Sequence, residues 1–170
     1  MDDITAIPYK CSMSTAAQIL HPDLYDSDFH AWCMEQSALL RSRPPGENDR
    51  LDYANLAEEI ETLGRSQRSK IKSHMVVLLM HLLKWRHQPG HRCTSWENSI
   101  YNAREEIADE LRDSPSLKSY AQAVIAEAYP RAVRRAEDET GIARADFPSA
   151  CPFSAVDVFD PEFLPPSVED

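Results

Sequence analysis

His74 and His81 stand seven residues apart, two turns of an α-helix, and so share one side of it, with Trp85 one turn further on. Glu59 precedes them on the border of a stripe formed by Leu56, Ile60 and Leu63. If Gly64 ends one helix and Ser66 caps the next, the two helices form a hairpin and Glu59 can meet His74 or His81. An imidazole with a carboxylate partner is the chemistry of a general base or a metal ligand, as a hydrolytic enzyme would use it. The same pair also serves a structural end, because a histidine buried in a leucine-rich helix needs one hydrogen-bond partner simply to be tolerated. No Glu-x-x-His pair of a di-iron bundle, no H-E-x-x-H, no phosphate-binding glycine loop and no nucleophile elbow occurs. No metal or cofactor is expected, and the structural role is favoured.

A second chemistry is anion binding. Between Gly64 and Trp96 the chain has seven Lys or Arg, four of its six His and no acid, although the whole protein carries a net charge of -10. Arg65, Arg68, Lys70 and Lys72 cluster at one end of this stretch, and Lys84, Arg86, His87, His91 and Arg92 at the other. Phosphate contacts need this charge type. Nucleic-acid surfaces usually belong to basic domains, however, and the acids elsewhere in the chain are numerous enough to pair with these residues from within. Trp32, Trp85 and Trp96 with Tyr101 suggest either an aromatic pocket or plain core, of which core is the more economical.

The elements that must position these groups are helical. Phe29, Trp32, Cys33, Gln36 and Leu40 repeat at helical spacing after a cap at Asp26 or Ser27, and the prolines and glycine of 43–48 make a loop. Asp49 with Asp52 opens the helix that carries Glu59, and the apolar run from Met75 to Trp85 marks a buried central helix from Ser66 to Arg86. Thr94 and Glu97 open a fourth helix with Trp96, Ile100, Ala103, Ile107 and Leu111 along its inner face. Pro115 starts a fifth, with Leu117, Tyr120, Ala121, Val124 and Ala128 inward; Pro130 should kink or restart it, and Gly141 should end it. Beyond Gly141 five prolines and a short helix at Ser154 to Phe159 suggest an extended acidic segment wrapped on the surface, and Ser14 to Leu20 suggests a short helix in a partly ordered N-terminus.

With 170 residues, 42% hydrophobic composition and only four glycines, the chain is expected to be all-α. The expected architecture is a compact bundle of five or six helices around a buried central helix, one domain over 25–165, with a partly ordered N-terminal segment 1–24 and an acidic tail 166–170. Cys11, Cys33, Cys93 and Cys151 include no C-x-x-C pair and are expected as reduced thiols, Cys33 as a small buried hydrophobe. Neither a secretory signal nor a membrane-spanning run is apparent, so a cytoplasmic location away from membranes is expected.

Several spaced strings agree with a known pattern. Asn55-Leu-Ala-Glu-Glu-Ile-Glu-Thr-Leu-Gly-Arg-Ser66, Leu78-Leu-Met-His-Leu-Leu-Lys-Trp85, Gln88-Pro89, Ser95-Trp96 and Asp113-Ser-Pro-Ser-Leu117 resemble the bacterial domain-of-unknown-function family twenty-nine, over nearly the whole of Tyr25 to Pro165. The resemblance implies a compact, mostly helical bacterial domain and supplies no reaction, substrate or partner. The chain therefore reads as a non-enzymatic interaction or regulatory module, with a protein partner or a homodimer as its target. A His74, His81 and Glu59 enzyme, and nucleic-acid binding through Arg65, Arg68, Lys70 and Lys72, are the alternatives.

Overall fold

The computed structural model describes residues 23–43 and 50–168. The short helix expected at Ser14 to Leu20, Cys11, most of the 43–48 loop and the capping role of Asp49 lie outside them. Six α-helices follow one another, and no strand occurs among the described residues: α1 Leu24–Ser27, α2 Phe29–Ser42, α3 Tyr53–His87, α4 Thr94–Asp113, α5 Lys118–Thr140 and α6 Ala155–Phe159. None of these helices is long and apolar enough to cross a membrane.

The main departure from the sequence reading is α3, a single helix of 35 residues, about 52 Å long, where two helices joined at Gly64 were expected. Gly64 sits in its interior because α2 crosses there. A Cβ on Gly64 would stand 2.9 Å from the Cβ of Cys33 and 2.6 Å from Cε of Met34, so only glycine permits this approach. His30 fixes the crossing, with Nδ1 2.9 Å from the Gly64 carbonyl. The inward line of this half of α3 is therefore Ala57, Gly64, Gln67 and Ile71, whereas Leu56 and Leu63, expected inside, face outward.

The other half of α3 is the core. Ile71, Met75, Leu78, Leu79, Leu82 and Leu83 are fully buried between α4 and α5, each such side chain contributing on the order of 1.5–3 kcal/mol. Helix α4 adds Ile100, Ala103 and Ile107, and α5 adds Ala121, Val124 and Ala128, at the spacings read from the sequence, with Ala132 beyond them. Pro130 neither ends nor restarts α5. It lies on the exposed side, while Ala128, Tyr129, Ala132 and Val133 are buried on both sides of it and hold one helix through the missing hydrogen bond. Gly141, with φ +72°, ends α5 in the left-handed conformation, its N–H donating to the Glu137 carbonyl.

Two polar joints lock the layers. Asp28, rather than Asp26 or Ser27, caps α2 through the Ala31 N–H and also accepts from the backbone and hydroxyl of Ser116. Ser114, fully buried, accepts from the His30 N–H and donates to Gln67 Oε1, joining α2, α3 and the α4–α5 turn. At the opposite end the chain after α5 inserts Phe147, Phe153 and Val158 into the core. Arg104 of α4, only 7% exposed, fastens that segment: its guanidinium donates to the carbonyls of Val158 (3.0 Å), Pro161 (3.1 Å), Asp157 (3.2 Å) and Phe163 (2.9 Å).

Candidate functional site

The continuity of α3 decides the fate of the His/Glu constellation. Glu59 precedes His74 by 15 residues and His81 by 22 on one straight element, which sets them roughly 22 Å and 33 Å apart along the axis. A hairpin would have folded Glu59 back onto the histidines; the helix carries it away. His74, half-buried, instead faces the exposed Glu106 of α4, with Nε2 3.9 Å from the carboxylate. His81 places Nδ1 3.0 Å from the Val77 carbonyl of its own preceding turn. Among the described residues, no three His, Cys, Asp or Glu side chains come together as metal ligands would.

Burial holds the His81 imidazole below its ordinary value of 6.5, with the Val77 hydrogen bond opposing and the Lys84 charge adding to the effect. His87 is lowered as well, by burial and then by the Arg86 charge, with Asp146 partly offsetting. Between the lowered and ordinary values the unfolded chain binds more protons than the folded one, so stability rises with pH across that window. This contribution is complete above 6.5 and is lost as pH falls through the lowered folded values. Urea midpoints are expected to drop as pH is taken from 7 toward 5, and His81→Asn, which keeps a donor near the Val77 carbonyl, to flatten part of that slope. An unaltered slope in the variant would show that His81 is not its source.

The model of the domain of unknown function DUF29 matches residues 24–164. The chain belongs to the DUF29 family. A solved structure similar to it, an α-helical protein of unknown function from Rhodospirillum rubrum ATCC 11170, shares 25% identity with a TM-score of 0.67. The likeness covers 82% of this chain and 90% of that one. No curated protein matches the chain.

In this DUF29 chain each of the four proposed anion-binding residues faces an internal partner. Arg65 pairs with Glu61, Lys70 with Glu110 at 2.9 Å and Lys72 with Glu127 at 2.5 Å, while Arg68 lies 4.4 Å from the centre of the Tyr120 ring. The Glu110 hydrogen bond raises the Lys70 ammonium above its ordinary value. The aromatic residues do not gather either. Trp32 packs edge-on against Tyr25, Trp85 lies under Arg92, Trp96 lies under Lys84, and Tyr101 is exposed.

Lys84, a member of the second basic cluster, is buried in the core of this DUF29 chain, which its place in that cluster did not indicate. Its ammonium is 2.5 Å from a Glu139 carboxylate oxygen and 4.4 Å from the centre of the Trp96 ring. Glu139 is 55 residues away on α5, so no local periodicity points to it. Among the cysteines, Cys33 is fully buried, with its thiol pushed up by burial, Cys151 is half-buried and Cys93 is exposed; all three are free.

Two exposed leucines stand on the other half of α3. Leu56, Leu63 and Lys70 are seven residues apart and fall nearly on one line of the helix. Further along, the same line is covered at Lys84, buried against Trp96 of α4, whereas at Lys70, still exposed, α4 touches it through the Glu110 ion pair before ending at Asp113, beside the joint that Ser114 makes with Gln67. Beyond that point the line runs on uncovered, with Leu63 51% and Leu56 41% exposed. Glu59, one turn from each leucine, is exposed, and Asp52 caps the helix on the same side.

Proposed function

We propose that the protein is a non-enzymatic protein-interaction module whose α2–α3 arm holds an amphipathic helix of a protein partner. The observation that carries this reading is the exposure of Leu56 and Leu63 on the line of α3 that α4 covers further along. A helix laid there would continue the path of α4, with apolar anchors at helical spacing, the usual mode of helix-in-groove recognition. Asp52 and Glu59 beside the leucines select a partner helix with Lys or Arg on its flanks.

Affinity capture from the native host with wild type and with the double variant Leu56→Asp/Leu63→Asp tests this. The variant should melt like the wild type, since exposed substitutions usually stay within about 0.5 kcal/mol. It should lose a protein that the wild type retains, and binding of that protein to the wild type should weaken as salt rises. Recovery of the same proteins by both forms would sink the reading. A wild-type dimer that the double variant turns into a monomer would put a second copy in place of the partner helix.

A further inference from the structure

A cleft of about 430 Å³ opens between α4, α5 and α6. Its floor is apolar, formed by Ile107, Leu111 and Phe159, and three cations line it: Arg104, Arg112 and Lys118. No acid is among its lining residues, in a protein with 28 acids against 18 Lys and Arg. The residues from Arg104 to Leu111 run two turns along α4, so the apolar stretch is about 10 Å long with positive charge at both ends.

The three cations differ in their bonding. Among the described residues Arg112 is held only by Asp109, a surface pair at 2.6 Å within one helix turn, which is worth little and is readily exchanged. Lys118 is exposed, and its ammonium has no ion pair or hydrogen bond among the described residues. Arg104 is buried without a salt-bridged carboxylate among the described residues. Four of the five N–H groups of its guanidinium are used on main-chain carbonyls, and the fifth, on Nη1, has no acceptor among the described residues. A buried cation compensated mainly by carbonyl dipoles gains from an anion brought close in a low-dielectric setting.

We infer that this cleft is a binding site for a small amphipathic organic anion, a carboxylate or phosphate ester carrying a short hydrocarbon body. The hydrocarbon lies on Ile107, Leu111 and Phe159, and the anionic group is held by Lys118 and Arg112 at the mouth or by the free Nη1 N–H of Arg104 within. The volume falls in the range usual for small-molecule sites, about 300–1,000 Å³.

Octanoate, octanol and inorganic phosphate, each titrated into the full chain and followed by amide chemical shifts, test the site. Octanoate should shift Ile107, Leu111 and Phe159 at submillimolar concentration, whereas octanol, without charge, and phosphate, without a chain, should leave them unmoved. Arg112→Glu/Lys118→Glu, whose substitutions are exposed, should keep the circular dichroism of the wild type and weaken octanoate by at least about tenfold. Vesicles containing phosphatidylglycerol form a second arm. Pelleting with them, lost in the double variant, assigns the anion to a lipid; octanoate binding without pelleting assigns it to a free small molecule. No shift at these residues and no pelleting, equal shifts with octanol, or octanoate binding unchanged in the double variant would overturn the site.

Discussion

Arg104→Met is expected to destabilise the protein by about 3–5 kcal/mol, because it leaves several buried acceptors without a donor at about 1–3 kcal/mol each. Methionine fills much of the volume of the arginine stem but donates nothing, so the carbonyls of Asp157, Val158, Pro161 and Phe163 lose their shared donor in a site that water reaches poorly. Hydrogen bonds from a charged group contribute about 1.5–3 kcal/mol each, and the four are not additive because one side chain makes them all. Burial lowers the guanidinium's proton affinity, with the nearby Asp160 charge partly offsetting, so part of the gain is returned as desolvation. Arg104→Lys should recover only a fraction, since an ammonium cannot reproduce a planar fork that reaches four acceptors. The loss should be local first. Limited proteolysis is expected to cut the variant within 155–168 before α3 or α4, and urea unfolding to show a lower midpoint. A variant that resists cleavage there and keeps its midpoint would show that Phe153 and Val158, buried in the core, hold the segment without Arg104.

Arg104 also shows where sequence reasoning stopped. Its partners are main-chain carbonyls 53 to 59 residues away, and a carbonyl is the same whatever residue carries it, so no letter in the sequence marks the joint. Helix α4 was legible because Ile100, Ala103 and Ile107 are at once periodic and buried, and the end of α5 was legible because Gly141 takes the one conformation that glycine adopts at little cost. Pro130 restarts no helix, because tertiary burial of Tyr129 and Val133 overrides the local rule. The leucines of the α3 arm were misread for a related reason. Leu56, Ile60 and Leu63 form a good inner stripe, and only the position of α2, set by Gly64 one step around the helix, turns Leu56 and Leu63 outward. From that single reassignment follow both the dispersal of Glu59, His74 and His81 and the apolar face proposed for a partner.

Gly64→Ala isolates this reassignment. A glycine that merely ended a helix would be improved by nothing and damaged by any side chain, whereas a glycine inside a helix should gain about 1 kcal/mol from alanine if nothing touched it. Here the added methyl meets Cys33 Cβ at 2.9 Å and Met34 Cε at 2.6 Å. The methionine methyl can swing aside. The Cys33 Cβ moves only with α2, and α2 is tied by Asp28 to Ser116, by the His30 N–H to Ser114 and by Arg41 to Glu61. Overpacking against such a constrained neighbour costs about 1–3 kcal/mol, enough to outweigh the propensity gain. Gly64→Ala is therefore expected to lower stability by on the order of 1–2 kcal/mol net, seen as a lower urea midpoint with the m-value unchanged. Adding Met34→Ala separates the two contacts: if only the Met34 methyl stood in the way, the double variant would show a favourable coupling that cancels the Gly64→Ala loss. Because Cys33 Cβ is the rigid obstacle, the double variant should keep that loss on top of the cost of Met34→Ala alone. A Gly64→Ala protein as stable as the wild type, or more so, would mean that α2 can withdraw from α3 freely, and the arm's leucines would then no longer be held outward by that contact.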